Sequence, residues 1–251
     1  MKLAVFSDVH GNLTGLEAVM VDIEQHQPDE IVVAGDLCVM GPRPAECLEF
    51  IRARNLRAIY GNTDEWLLDR QEPPPRMKDP VRWTQGQLSA GARQWLAGLP
   101  FQLRYSPTDS AEDDLLIVHA NPQDVNQIIF PPEAMQITLY GRVRQDDNEL
   151  EPLLAELDAA VLAFGHLHIP NVRTWRGKTL ANISSISLPG DDDPRAKYAI
   201  FTWAGDQWQI EHHRVSYDLD AEAAELYKNP IPGMEEAMQS LASRRYIPQR
   251  V

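Results

Sequence analysis

Seven side chains, Asp8, His10, Asp36, Asn62, His119, His166 and His168, share one setting in this sequence. Each stands at or just past the end of a short apolar run, as Asp8-Val9-His10, Gly35-Asp36, Gly61-Asn62, His119 and Gly165-His166-Leu167-His168. Neutral imidazoles, carboxylates and an amide carbonyl are ligands for first-row metal ions, and a carboxylate can bridge two of them. Taken singly, each residue has a plainer reading. A strand-end Asp caps or turns the chain, Asn62 after Gly61 marks a turn, and a lone His119 is a structural histidine. The force lies in the ordered set. Seven such donors exceed the needs of one tetrahedral ion and suit two ions that share a carboxylate and keep positions open for water.

The repeated i, i+2 spacing has its own rationale. In an extended segment, Asp8 and His10, like His166 and His168, point to one side while Val9 and Leu167 face away. Glycines at 35, 61 and 165 suit turns where backbone passes close to a site. The remaining histidines, His26, His212 and His213, lack this context and read as surface or sheet residues.

The elements that must position these residues follow from periodicity. Residues 3–6, 31–34 and 57–60 read as buried strands, with helices over 13–25 and 44–54 between them. That β-α-β-α-β order predicts a parallel sheet with right-handed crossovers, whose carboxyl ends gather ligands on one rim. Prolines 73–75 make 71–82 a surface loop, and 83–99 reads as one helix despite Gly86 and Gly91. Further strands fall at 115–118 and 161–164, with a short helix at 153–157 between them. Residues 122–148 resist assignment and are a candidate lid. The β-rich stretches 171–176, 178–183, 197–203 and 207–215 turn at Arg176-Gly177 and Ala204-Gly205. A helical C-terminal extension starts at about 219 and breaks at Pro230 to Gly233. The whole, 1–251, reads as one α/β domain.

Composition narrows the function classes. The chain has 251 residues and a formal net charge of −14. Such a surface repels phosphate backbones and argues against non-specific nucleic-acid binding. A small anionic substrate remains compatible, because a metal pair reverses the field inside a cleft. Cys38 and Cys47 form neither a redox nor a zinc motif. The apolar start is too short for a signal-peptide core, and no run is long enough to span a membrane. The expected location is the cytoplasm, with no membrane partner.

The ordered series Asp8-Val9-His10-Gly11-Asn12, Gly35-Asp36, Gly61-Asn62-Thr63-Asp64, His119 and Gly165-His166-Leu167-His168 resembles the calcineurin-like metallophosphoesterase superfamily. The likeness covers residues 1 to about 215 and is nearest to the small bacterial phosphodiesterases of the YfcE type and to relatives of diadenosine tetraphosphatase. It implies a four-layer α/β/β/α sandwich of two mixed sheets flanked by helices. It implies one metal on Asp8, His10, Asp36 and His168 and a second on Asp36, Asn62, His119 and His166, with Asp36 bridging. A hydroxide between the ions is then the nucleophile of a phosphodiester, phosphate ester or anhydride hydrolysis. Manganese is the metal expected, with Fe, Ni, Co or Zn as alternatives. The residues implied in catalysis are Asp36, Asn62 and His119.

One position departs from the family pattern. Where the family carries a histidine that contacts substrate and helps the leaving group, this sequence has Thr63, which is no general acid near neutral pH. The following Asp64, which would orient that histidine, is left with a helix N-cap as its local reading. Asn12 divides between phosphate contact and a cap for the 13–25 helix. Arg43 divides between an anion clamp and a solvated turn, and Arg142 and Arg144 read as solvated. The acidic tail, with Glu222, Glu225, Glu235 and Glu236, has three open roles: covering the site, a homo-oligomer contact, or surface packing. The competing readings are a non-catalytic metal-binding scaffold of the same fold, and a phosphatase acting on phosphoproteins or dinucleoside polyphosphates.

Overall fold

A computed structural model describes residues 1–233. The first sheet has strand order β10-β9-β1-β2-β3, built from β1 (Lys2–Phe6), β2 (Glu30–Ala34), β3 (Arg57–Ile59), β9 (Ala196–Trp203) and β10 (Trp208–Val215). The second has order β4-β5-β6-β8-β7, from β4 (Leu103–Tyr105), β5 (Leu115–Ile117), β6 (Val161–Phe164), β7 (Asn171–Trp175) and β8 (Lys178–Asn182). Both sheets are mixed. β1, β2 and β3 run parallel, with β9 antiparallel to β1, and β5, β6 and β8 run parallel, with β4 and β7 antiparallel at the edges.

Period-2 alternation builds the layers. Leu3 and Val5 of β1, Leu115 and Ile117 of β5, and Val161 and Ala163 of β6 meet in the core between the sheets. Ala34, Ala163, Ala181 and Ala199 keep that core thin enough for the sheets to approach. The opposite faces bury Ala4 and Phe6 under the helices of the first layer, α1 (Leu13–His26), α2 (Pro44–Ala53), α3 (Asn62–Leu67), α4 (Lys78–Gln87) and α5 (Ala90–Ala97). Leu116, Leu162 and Phe164 pack outward against Leu150 and the Leu153 and Leu154 of α7 (Glu151–Leu154), which follows α6 (Glu133–Tyr140). Each fully buried aliphatic side chain stabilises the fold by roughly 1.5–3 kcal/mol. The result is the expected four-layer α/β/β/α sandwich.

Several expectations need correction. The ligand-bearing strands do not share one rim: β1, β2 and β3 lie in one sheet, and β5 and β6 in the other. The loop expected at 71–82 gives way to α4 at Lys78, because Pro80 sits in its first turn, where a missing N–H is tolerated. The single helix expected over 83–99 breaks at Leu88, which is extended (ψ 130°), and Ser89 caps α5 by accepting from the Ala92 N–H at 3.1 Å. Strand β4 was not anticipated. The C-terminal helix α8 (Leu219–Lys228) forms as read and ends before Pro230, while Glu235 and Glu236 lie outside the described residues. No helix among the described residues is long and apolar enough to cross a membrane.

Candidate metal centre

All seven candidate ligands converge where the carboxyl ends of β1, β2, β3, β5 and β6 meet. Asp8, His10, Asp36, Asn62 and His119 are all buried, His119 completely. One ligand atom each from Asp8, His10 and His168 lies within 4.8 Å of the others, and the same holds for Asp8, Asp36 and His119. Between the groups, His10 Nε2 stands 3.7 Å from Asp8 Oδ1 and 3.7 Å from Asp36 Oδ2. His119 Nε2 stands 3.5 Å from Asp36 Oδ1 and 3.0 Å from Asn62 Oδ1.

Backbone carbonyls decide which nitrogen each imidazole offers. The Nδ1–H groups of His10, His119 and His168 donate to Val39 O at 2.9 Å, Ala34 O at 2.9 Å and Leu188 O at 2.6 Å. This fixes one tautomer and turns the Nε2 lone pairs inward, as a metal ligand requires. His166 is reversed: its Nε2–H donates to Asn126 O at 2.8 Å, which leaves Nδ1 as its ligand atom. These acceptors are main-chain groups, so no side-chain pattern in the sequence could have revealed them.

A consequence is that acceptors face acceptors. His10 Nε2 lies 3.3 Å from His168 Nε2, although both nitrogens carry lone pairs once Nδ1 holds the hydrogen. His168 Nε2 lies 3.0 Å from the carboxylate oxygen Asp8 Oδ1. Only a proton or a cation between such atoms makes these contacts favourable. The separations suit a shared ion with bonds of about 2.0–2.2 Å. The residues present therefore fit a metal pair.

Strain accompanies the convergence. Asp8 (φ 54°), His10 (φ 46°), Asp36 (φ 55°), His166 (φ 63°) and His168 (φ 60°) all occupy the left-handed region. Each costs roughly 1–3 kcal/mol and clusters of this kind mark functional sites. This also corrects the spacing argument, because neither histidine-bearing pair is extended. Gly61 and Gly165 meet the expectation of close approach. A Cβ on Gly61 would lie 2.2 Å from Asp36 Oδ1, and one on Gly165 2.3 Å from Asp8 Oδ2.

Asp64 has a larger role than a cap. It is the third residue of α3, and its carboxylate accepts from the N–H groups of Gly61 (2.9 Å), Asp36 (2.9 Å) and Leu37 (3.2 Å). It thereby clamps the β2 and β3 ends together. The Thr63 N–H in turn donates to Asp36 Oδ1 at 2.9 Å. Asn12 and Arg43 take structural places instead of lining the cleft. Asn12 caps α1 by accepting from Gly15 N–H at 2.8 Å and donates to Tyr217 Oη at 3.1 Å. The Arg43 guanidinium is held by Thr14 Oγ1 and by Glu222 of α8, so it is no anion clamp. Arg142 and Arg144 also lie outside the cleft lining.

Electrostatics follow from this packing. Burial alone would raise Asp8, but the charge and hydrogen bond of His168, with His119 and His10, hold its carboxyl far below the usual range. Burial and the Asp36 carboxylate push Asp64 up to about 7. Burial and the neighbouring His119 lower His166 to about 4, and burial lowers His10. For His119 and His168, burial disfavours charge, but the carboxylates Asp36 and Asp8 outweigh it and raise both above 6.5. Without metal, those two imidazoles keep protons that a metal must displace. Because their pKa values are raised, the protonated fraction grows as pH falls. Metal affinity is therefore expected to drop on going from pH of about 8 to about 6, by at most about tenfold per pH unit for each proton displaced. Calorimetric titration with Mn²⁺ across that range checks this, and pH-independent binding would contradict it.

The centre opens into a cleft of about 310 Å³. Its lining adds Met40, Thr63, Trp66, Arg76, Ile128 and Leu188 to the candidate ligands. The 122–148 segment reaches it through Asn126 and Ile128. Thr63 Oγ1 is buried without a hydrogen-bond partner.

A two-sheet sandwich with an imidazole–carboxylate cluster at its strand ends defines a metal-binding hydrolase class. The chain belongs to the calcineurin-like phosphoesterase superfamily, whose domain model matches residues 1–206. It is 27% identical over 250 residues to the uncharacterised protein MJ0912 of Methanocaldococcus jannaschii, covering 92% of this chain and 93% of that protein. The crystal structure of a metallophosphoesterase from Sphaerobacter thermophilus superposes with a TM-score of 0.72 at 27% identity, covering 96% of this chain and 98% of that one. A hypothetical protein, PH1004, from Pyrococcus horikoshii shares the fold, with a TM-score of 0.78 at 17% identity over 100% of this chain and 99% of that one.

Proposed function

We propose that the protein is a dinuclear metal-dependent phosphoesterase that hydrolyses a small phosphodiester. The observation that carries the reading is the convergence of imidazoles and carboxylates from Asp8, His10, Asp36, His119 and His168, three of the imidazoles tied through Nδ1 to backbone carbonyls, beside a cleft of substrate size. Asp8, His10, Asp36 and His168 would hold one ion, and Asp36, Asn62, His119 and His166 the other. Mn²⁺ is the first candidate, and Fe, Ni, Co or Zn suit the same mixed N/O donors. When bound, two such cations supply the charge that makes water a nucleophile near neutral pH and that neutralises the phosphoryl oxygens.

The chain's own residues do the rest. Thr63, on the cleft wall, would offer its hydroxyl to a phosphoryl oxygen once its buried side chain turns toward bound substrate. Trp66, Met40 and Leu188 offer an apolar wall to the leaving group, and Arg76 is the one Lys or Arg side chain of the lining among the described residues. Residues 122–148 act as the lid of a single domain. A diester carries one negative charge near neutral pH and a monoester close to two. A lining whose described residues include a single arginine, in a chain of net charge −14, favours the former. The expected substrate is a small cytoplasmic molecule, not a nucleic acid bound for its backbone.

The test compares bis-p-nitrophenyl phosphate with p-nitrophenyl phosphate in the Mn²⁺-loaded protein. The diester is expected to give the higher kcat/KM. A monoester preference would overturn the diesterase reading and leave the metal centre standing.

A further inference from the structure

Three histidines lie outside the cleft. His212 is accounted for, since its Nε2 bonds Asn182 O at 2.7 Å within the sheet region. His26 and His213, read from sequence as surface or sheet residues, instead meet Asp22. Helix α1 places Asp22 and His26 one turn apart, with Oδ2 3.9 Å from Nε2. Strand β10 presents His213 with its ring 4.5 Å from that of His26. One ligand atom from each of the three lies within 4.8 Å of the others. None of them lines the catalytic cleft.

Three features separate this group from a chance surface cluster. His213 Nε2 is buried and makes no hydrogen bond among the described residues, whereas buried polar atoms are nearly always paired. The Asp22 carboxylate is held in place by the Tyr198 hydroxyl, which donates to Oδ2 at 2.6 Å, an arrangement that orients ligating carboxylates. His26 is the last residue of α1, where the negative end of the helix dipole favours a cation.

We infer that Asp22, His26 and His213 form a second metal site, separate from the cleft, for a transition ion of the zinc class. Two imidazoles and one carboxylate match that ion's donor preference, and tetrahedral bonds need ligand atoms about 3.3 Å apart. The 3.9 Å gap between Asp22 Oδ2 and His26 Nε2 is about 0.6 Å wider than that spacing, a difference that rotation of the His26 side chain would close. Glu211, exposed and 3.9 Å from His213 Nε2, supplies a fourth donor, or water does. An ion here ties the end of α1 to the edge strand β10.

The experiment measures Zn²⁺ bound per chain by equilibrium dialysis at low micromolar free Zn²⁺, in the full-length protein and in His26→Ala/His213→Ala. Asp22→Asn, close to isosteric and able to keep the Tyr198 contact, is the second variant. Each variant is expected to bind one Zn²⁺ fewer than the parent, to lose part of the Zn²⁺-induced rise in Tm, and to keep the diesterase activity of the Mn²⁺-loaded protein. Equal Zn²⁺ stoichiometry in the parent and Asp22→Asn would overturn the site, whatever the double variant's fate.

Discussion

Replacing Asp36 by asparagine is expected to lower kcat for diester hydrolysis by about 10³-fold, the scale set by loss of a central electrostatic contact in a buried site. Asp36 is the carboxylate that reaches both halves of the cluster, 3.7 Å from His10 and 3.5 Å from His119. Asparagine keeps the oxygen that accepts from the Thr63 N–H. What it loses is the charge and the second donor oxygen, and its amide N–H₂ points a donor where an imidazole lone pair needs a cation. The apoprotein should not suffer, because Asp36 contributes to the repulsion that raises Asp64. An unchanged or higher Tm of the metal-free variant, with loss of the metal-induced rise in Tm, would separate loss of the site from unfolding. His119→Ala, which empties the Ala34-tethered position, should give a comparable loss. Activity within tenfold of the parent in either variant would remove these residues from the centre.

Thr63→His is expected to raise turnover about 10²-fold on a diester with a poor leaving group, such as diphenyl phosphate, with little change on bis-p-nitrophenyl phosphate. General acid assistance contributes typically ~10²–10⁴-fold, and matters most where the departing oxygen is basic. Position 63 is on the cleft wall, and its hydroxyl has no hydrogen-bond partner among the described residues, so an imidazole there displaces none. The gain belongs at the low end of that range. Asp64, which would orient such a histidine, is already saturated by the amides of Gly61, Asp36 and Leu37. No gain on the poor leaving group would mean that the acid role is absent or filled by another group.

The candidate site was legible because every member follows a short apolar run, and such runs become strands whose ends gather. The partition of those strands between two sheets was not legible from periodicity. Leu115 to Ile117 and Leu3 to Phe6 look equally buried in sequence, and only the family likeness implied facing sheets. Three kinds of feature escaped. The carbonyls of Ala34, Val39 and Leu188 that fix the histidine tautomers carry no side-chain signature. The left-handed conformations of Asp8, His10, His166 and His168 are imposed by tertiary packing, against the local preference for extended backbone. The Arg43–Glu222 pair joins residues 179 apart, so an arginine shortly after Asp36 looked free when its partner was far down the chain. The helix break at Leu88-Ser89 shows the same limit. A serine inside an apolar repeat becomes a cap only when the chain turns there.

The most direct measurement is reactivation. The protein is stripped with chelator, then titrated with Mn²⁺ while hydrolysis of bis-p-nitrophenyl phosphate is followed alongside bound metal. The account predicts negligible activity in the stripped protein and a rise that completes as two ions bind at the cleft, absent in Asp36→Asn. Two bound ions without hydrolysis for any of Mn, Fe, Ni, Co or Zn, or full activity in the stripped protein, would contradict it.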